Sequence, residues 1–214
     1  MSGELKKLTA AVCTAAVLWF FMFSPCTGGL INFWALMSCA ALVLTTLGLA
    51  FTPDRESLAE VRHPMLQLAG GVLIAFALWG IFWIGDKLAA LMFDFARPGV
   101  DAVYAMKTGL PSWAIALLLL GLIGPAEELF WRGYVQRTLQ RLLPGRKAPD
   151  LAFIITALVY ALVHIWSFNF MLIMAALVAG AVWGFIYRLC PKALPALIVS
   201  HAIWDALVFV ILPI

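Results

Sequence analysis

Most of this 214-residue chain consists of apolar runs long enough to cross a lipid bilayer as helices. Hydrophobic residues make up 64% of the sequence and charged residues only 12%, whereas soluble domains carry about 25% charged residues. A helix of roughly 20 apolar residues spans the hydrocarbon core of a bilayer. The runs cover residues 8–23, 30–51, 65–84, 112–130, 151–166, 168–187 and 194–212. The sequence therefore predicts an all-α polytopic transmembrane helical bundle of about seven spans (six to eight, because two runs are short).

Little of the chain lies outside these runs, so we expect residues 1–214 to form a single membrane domain. Residues 85–111 are the longest connection, and their apolar piece at 88–93 predicts a short amphipathic helix in the membrane interface. Lys6 and Lys7 precede the first run, but no A-x-A-like cleavage site follows it. We therefore expect the first run to remain in the protein as a span.

The Lys and Arg residues are distributed unevenly between the two sides of the predicted bundle. If the N-terminus lies inside, eleven of the 14 fall on the inner side, and only Lys87, Arg97 and Lys107 fall on the outer side. Cytoplasmic loops of membrane proteins carry an excess of Lys and Arg. This bias predicts a cytoplasmic N-terminus.

Three short polar groups, which we call the polar islands, interrupt the apolar segments of the second half of the chain. The islands are Glu127-Glu128-x-x-x-Arg132, Tyr160-x-x-x-His164 and His201-x-x-x-Asp205. An ionisable side chain at membrane depth costs several kcal/mol unless it is paired, and it marks a functional site by default. We therefore expect the three islands to form one catalytic site within the membrane.

Helical spacing assigns a different environment to each residue of the first island. Glu128 and Arg132 lie four residues apart and share a helix face, which predicts an ion pair between them. Glu127 lies about 100° further around the helix and faces other neighbours. Gly121 and Gly124 precede the glutamates on one side of the helix, and we expect both to allow close approach of another helix.

The depths of the first two islands conflict if the apolar runs are taken literally. Glu127 would then lie near the inner end of the fourth span, and His164 near the outer end of the fifth. The conflict is resolved if the fourth helix continues beyond residue 130 towards Leu142, with Arg137 and Arg141 extending to the inner surface. We therefore predict this extension, which places Glu127 near mid-depth, where His164 and His201 can meet it.

Each island also has a purely structural explanation. Glu128 and Arg132 alone would be an ordinary buried ion pair, and a single histidine on an apolar helix commonly makes an interhelical hydrogen bond. Together, however, an unpaired Glu127 with two imidazoles and Asp205 form a set of acids and bases suited to hydrolysis. A glutamate with two histidines is also a ligand set of zinc hydrolases, but the sequence contains no H-E-x-x-H motif.

The ordered motifs resemble those of the CPBP family of intramembrane proteases, also called the CAAX-protease and bacteriocin-processing family. The resemblance rests on E-E-x-x-x-R-G, an aromatic-x-x-x-His and a final His-x-x-x-Asn/Asp. His164 follows Glu127 by 37 residues, and His201 follows His164 by the same interval. The motifs lie between residues 124 and 206, within a core of about 112–212, and the N-terminal half is similar only in being hydrophobic.

The resemblance implies a role for each motif residue. Glu127 would activate the attacking water, His164 would assist it, and His201 with Asp205 would hold the oxyanion. The supporting residues would be Glu128, Arg132 and Tyr160. Members of the family have been regarded both as zinc enzymes and as metal-free glutamic proteases. The missing zinc-binding spacing makes us expect a metal-free enzyme without a cofactor.

Two positions depart from the family pattern. Tyr160 stands where phenylalanine is common, which adds a hydroxyl group that can hydrogen-bond into the site. Asp205 stands where asparagine is frequent. A carboxyl group donates a hydrogen bond only when it is protonated, so Asp205 has the alternative role of orienting His201.

The leading hypothesis from the sequence is an intramembrane endopeptidase that cleaves a membrane-associated protein or peptide near its C-terminal tail or sorting signal. The expected partners are this substrate and the lipid bilayer, without nucleic acid, and the expected location is the bacterial inner membrane. Two alternatives remain at this stage. One is a catalytically inactive immunity or scaffold protein of the same fold. The other is a proton-coupled transporter, although the sequence lacks the repeated halves typical of that class.

Overall fold

Seven long apolar helices and one short helix form the protein in the computed structural model, which describes residues 3–58 and 60–214. The seven candidate spans are α1 (Gly3–Phe23), α2 (Phe33–Phe51), α3 (Pro64–Met92), α5 (Ser112–Leu142), α6 (Ala148–Ser167), α7 (Phe170–Leu189) and α8 (Pro191–Ile211). The short helix α4 covers Ala96–Tyr104. The predicted all-α polytopic bundle with seven spans is therefore confirmed.

The last helix, α8, lies at the centre of the bundle and is the most buried of the seven spans. It packs against α3 and α5, while α6 packs against α7 and α1 packs against α2 and the end of α6. Large apolar side chains such as Leu66, Leu73 and Leu91 point outward from α3. Such an outer surface is suited to lipid, because lipid tails are as apolar as these side chains.

Helix α5 extends to Leu142, as predicted from the depth of the islands. Glu127 is its central residue. Beyond the apolar run, Arg137 pairs with Asp54 and Ser57 of the α2–α3 connection, and Arg141 pairs with the same aspartate at 3.3 Å. Partial burial pushes the pKa of Asp54 upward, but the guanidinium groups of Arg137 and Arg141 outweigh this effect and hold it below its ordinary value. The charged side chains of Asp54, Arg137 and Arg141 therefore indicate that the end of α5 lies at the membrane–water boundary.

The prediction for residues 88–93 is wrong. Residues 88–92 are not a separate interfacial helix but the last turns of α3, which runs without a break from Pro64 to Met92. The helix continues past the charged residue Asp86 because Arg97 of α4 binds its carboxylate at 3.0 Å and Lys87 lies 3.2 Å away. The short helix of this connection is α4 instead.

The two glycines before the glutamates have different surroundings. A Cβ atom at Gly124 would lie 2.7 Å from Cα of Ala202 in α8, so only glycine allows this approach of the two backbones. The prediction of close approach is correct for Gly124. It is wrong for Gly121, where a Cβ atom would meet nothing within 4 Å.

We therefore expect Gly124→Ala to lower the free energy of unfolding by about 1–3 kcal/mol, because α8 must move away from α5. Gly121→Ala is the matched control, and it should be neutral or stabilise the helix by about 0.5–1 kcal/mol. Unfolding of the purified variants in mixed micelles, followed by circular dichroism, measures both effects. Equal stabilities of the two variants would contradict the close contact between α5 and α8.

Candidate active site

The first polar island lies where α5 departs from regular α-helical geometry. Gly124–Glu128 is α-helical, but π-helical turns precede it at Leu119–Ile123 and follow it at Leu129–Gln136. Pro125 has no N–H group and its ring crowds the preceding turn, so a wider turn before it relieves the crowding. These irregular turns set the directions in which Glu127, Glu128 and Arg132 face their neighbours.

Glu128 and Arg132 form the predicted ion pair, and both side chains are completely buried. Arg132 Nη1 donates to Glu128 Oε1 at 2.7 Å, and Arg132 Nη2 donates to the carbonyl oxygen of Gly180 in α7 at 3.0 Å. The guanidinium group also lies 5.2 Å from the ring centre of Tyr160. The pair thus joins α5, α6 and α7 inside the bundle.

His201 lies between two carboxylates. Its Nδ1 is 2.8 Å from Glu128 Oε1, and its Nε2 is 3.6 Å from Asp205 Oδ2. The ring stacks on Trp183 of α7, with 3.9 Å between centroids, and the indole N–H of Trp183 donates to Ser200. The spacing of His201 and Asp205 on one face of α8 was predicted, but the contact with Glu128 was not. Glu128 is therefore a partner of both Arg132 and His201.

Glu127 has an environment distinct from that of its neighbour. The residue is 7% exposed, and the hydroxyl of Tyr160 donates a hydrogen bond of 2.9 Å to its Oε2. Its pair of carboxylate oxygens is not bound by Arg132, which pairs with Glu128 instead. The extra hydroxyl of Tyr160 thus reaches the site, as the sequence suggested.

His164 lies in the last, 3₁₀-helical turns of α6, and both of its ring nitrogens have partners. Nδ1 is 2.8 Å from the carbonyl oxygen of Tyr160, and Nε2 accepts a hydrogen bond of 3.0 Å from the indole N–H of Trp19. The hydrogen bonds of His164 therefore do not reach Glu127, contrary to the expected meeting of the two residues. Tyr160, one turn earlier on α6, makes the contact with Glu127.

Sequence reasoning did not identify Trp19. It lies in the middle of an apolar run, and tryptophan is common in this chain, which contains nine. The residue is 1% exposed, and its ring packs edge-on against His164 with 5.9 Å between centroids. No motif marks this position, because the contact joins residues that lie 145 positions apart.

A small cavity adjoins Glu127 between α1, α2 and α5. It measures about 10 Å³, which corresponds to room for about one water molecule. The residues that line it are Trp19, Met37, Ala41, Leu44, Ile123, Ala126 and Glu127. A water molecule or a small apolar group of a ligand would meet the Glu127 side chain here.

The arrangement of the side chains does not fit a zinc ion shared by the islands. Among residues 3–58 and 60–214, no group of three or more His, Cys, Asp or Glu side chains is placed to hold a metal. The two ring nitrogens of His164 bind Tyr160 and Trp19, and those of His201 face Glu128 and Asp205.

Comparison with known proteins supports the resemblance that the motifs indicate. Residues 108–207 match the Rce1-like family model, which is described as "Type II CAAX prenyl endopeptidase Rce1-like". The matched segment contains all three polar islands. No curated protein and no solved structure matches the chain. Residues 108–207 of this integral membrane protein therefore match the Rce1-like family of CAAX-type endopeptidases, in agreement with the CPBP proteases that its motifs resemble.

Proposed function

We propose that the protein hydrolyses a peptide bond of a membrane-embedded or membrane-tethered protein or peptide, near its C-terminal tail or sorting signal. Glu127 is the base that activates the attacking water. The observation that carries this proposal is the environment of Glu127: a buried carboxylate at the centre of α5, oriented by Tyr160 and bordering a cavity of about 10 Å³. The family match supports the reaction class.

The proposed reaction begins with a water molecule beside the free oxygen of Glu127. The carboxylate takes one proton from the water, and the resulting hydroxide attacks the carbonyl carbon of the scissile peptide bond. The carbonyl oxygen becomes an oxyanion in the tetrahedral intermediate. When the C–N bond breaks, the proton held by Glu127 passes to the leaving amine. The products are a carboxylate and a free amine.

His201 is the proposed donor to the oxyanion, and Asp205 orients its ring. Glu128 accepts a hydrogen bond from Nδ1 of His201, which leaves Nε2 on the side of Asp205. An ionised Asp205 is an acceptor and cannot itself stabilise an oxyanion. In the doubly protonated ring, Nδ1–H stays on Glu128 and the second N–H, on Nε2, provides the donor that such an intermediate needs. Glu128 and Arg132 support the site by holding this ring in place.

We expect the enzyme to work without a metal. Cleavage by the purified protein should keep its full rate after prolonged incubation with a strong chelator, because the imidazole nitrogens are engaged by protein groups. The measurement is the initial rate before and after dialysis against the chelator. Loss of activity that added zinc restores would contradict the glutamate mechanism.

The proposed setting is the bacterial inner membrane, with the N-terminus on the cytoplasmic side and no nucleic acid as a partner. The excess of Lys and Arg on the inner side supports this orientation. In this orientation the charged group of Asp54, Arg137 and Arg141 lies at the cytoplasmic surface. The substrate then reaches Glu127 from within the bilayer or from that surface.

The proposal is tested with protein purified in detergent and a fluorogenic peptide that carries an apolar C-terminal tail. We expect cleavage of one internal peptide bond, identified by mass spectrometry of the products, and loss of cleavage in both Glu127→Ala and His164→Ala. Cleavage that survives both substitutions would refute the mechanism. Binding of the peptide without cleavage by the wild type would favour an inactive scaffold protein instead.

A further inference from the structure

The two hydrogen bonds of His164 determine its protonation state. A carbonyl oxygen only accepts hydrogen bonds, so Nδ1 must carry a proton to bind the carbonyl of Tyr160. An indole N–H only donates, so Nε2 must present its lone pair to Trp19. The imidazole is therefore neutral, with the proton on Nδ1. In this form Nε2 is an acceptor and can accept from any donor that replaces the indole.

Trp19 contacts His164 and also lines the cavity beside Glu127. On one side its indole N–H binds Nε2 of His164 at 3.0 Å, and on the other side the residue lines the cavity that Glu127 also lines. Trp19 belongs to α1, outside the segment that matches the family. Glu127 lines the cavity and His164 does not, and Nε2 of His164 is occupied by the indole N–H.

We propose that Trp19 is a positioning residue whose indole N–H holds the place on His164 Nε2 that an O–H of the attacking water takes when substrate binds. The inference rests on the proposed function. Displacement of the indole joins the cavity to His164. One O–H of the water then donates to the neutral imidazole and the other to the carboxylate of Glu127, which takes the proton. The number of hydrogen bonds to His164 stays the same throughout.

The test is Trp19→Phe, which removes the N–H group and keeps an aromatic ring in the packing. In the wild type the indole must leave Nε2 before the water can bind, so removal of this competing donor should raise kcat/KM by about two- to tenfold. A residue with a merely structural role would lower kcat/KM or leave it unchanged when replaced. Either of those results for Trp19→Phe would overturn the proposal.

Trp34→Phe is the matched control. Trp34 is also buried, at 2% exposure, but its indole N–H has no hydrogen-bond partner among the described residues. Its replacement makes a similar change in volume without removing a hydrogen bond, so kcat/KM should stay at the wild-type value. An equal rise in both variants would assign the effect to loosened packing and would overturn the role of the Trp19 hydrogen bond.

A second measurement on the wild type decides the question if Trp19→Phe does not fold. The bond from Trp19 to His164 is the one Trp–His N–H···N hydrogen bond between side chains that the structure describes. In ¹⁵N-labelled protein it should give a scalar coupling across the hydrogen bond, which should disappear when an uncleavable peptide analogue binds. Persistence of the coupling in the complex would overturn the proposal. Failure of the proposed function is distinct, because cleavage would then survive Glu127→Ala.

Discussion

We expect Glu127→Gln to lower kcat by about 10³-fold, within the range that a general base contributes, while KM changes little. The amide cannot take the proton from water, so the attacking hydroxide does not form. The amide oxygen can still accept the hydrogen bond from Tyr160 that the carboxylate accepts at 2.9 Å. The variant should therefore fold as the wild type does. Initial rates over a range of peptide concentrations give kcat and KM, and the unfolding transition shows whether the variant folds as the wild type does.

Glu60→Gln is the control for this experiment. Glu60 lies in the α2–α3 connection, where its side chain is 55% exposed and pairs with Arg62. Loss of this carboxylate should leave kcat unchanged. If Glu127→Gln kept more than about a tenth of the wild-type kcat, Glu127 would not be the base.

The largest effect on stability is expected from Arg132→Met. Both side chains of the Glu128–Arg132 pair are completely buried, with 2.7 Å between Nη1 and Oε1. Removal of one partner leaves the other charge buried without compensation, which costs about 3–5 kcal/mol. The free energy of unfolding should fall by this amount. His201 should also lose its fixed position, because Glu128 binds both Arg132 and His201. The rate of peptide cleavage per folded molecule should therefore fall as well.

The control is an ion pair at the surface. Arg188 binds Asp150 with 29% and 45% of the two side chains exposed, and exposed pairs contribute about 0–1 kcal/mol. Arg188→Met should therefore change stability far less than Arg132→Met. The double variant Glu128→Gln with Arg132→Met should regain part of the stability, because it removes the unpaired charge. Equal effects of Arg132→Met and Arg188→Met would contradict the structural role of the buried pair.

Local spacing predicted those parts of the site that depend on one helix. Residues four apart share a face in any α-helix, so the pairs Glu128–Arg132 and His201–Asp205 follow from the sequence. The extension of α5 to Leu142 followed from the need to bring charged residues to one depth. The end of α3 was not predictable in this way, because the partner that allows Asp86 to lie within the helix is Arg97 of α4.

Contacts between helices required the tertiary structure. Glu128 binds His201, which lies 73 residues away, and Glu127 binds Tyr160 at a separation of 33. The sequence placed these side chains in one site without indicating which would meet. It also gave no sign that Gly124 approaches α8 while Gly121 has open space beside it. These differences depend on the rotation of each helix about its axis.

The sequence by itself determined that the chain is an all-α membrane protein, and it identified the three polar islands of the candidate site. Apolar length and the cost of burying charge are properties of single segments, so they can be recognised without a structure. Only the tertiary structure decided that His164 binds Trp19 rather than Glu127, because packing of α1 against the end of α6 brings these rings together. That contact is specified by the geometry of the bundle and not by any local motif.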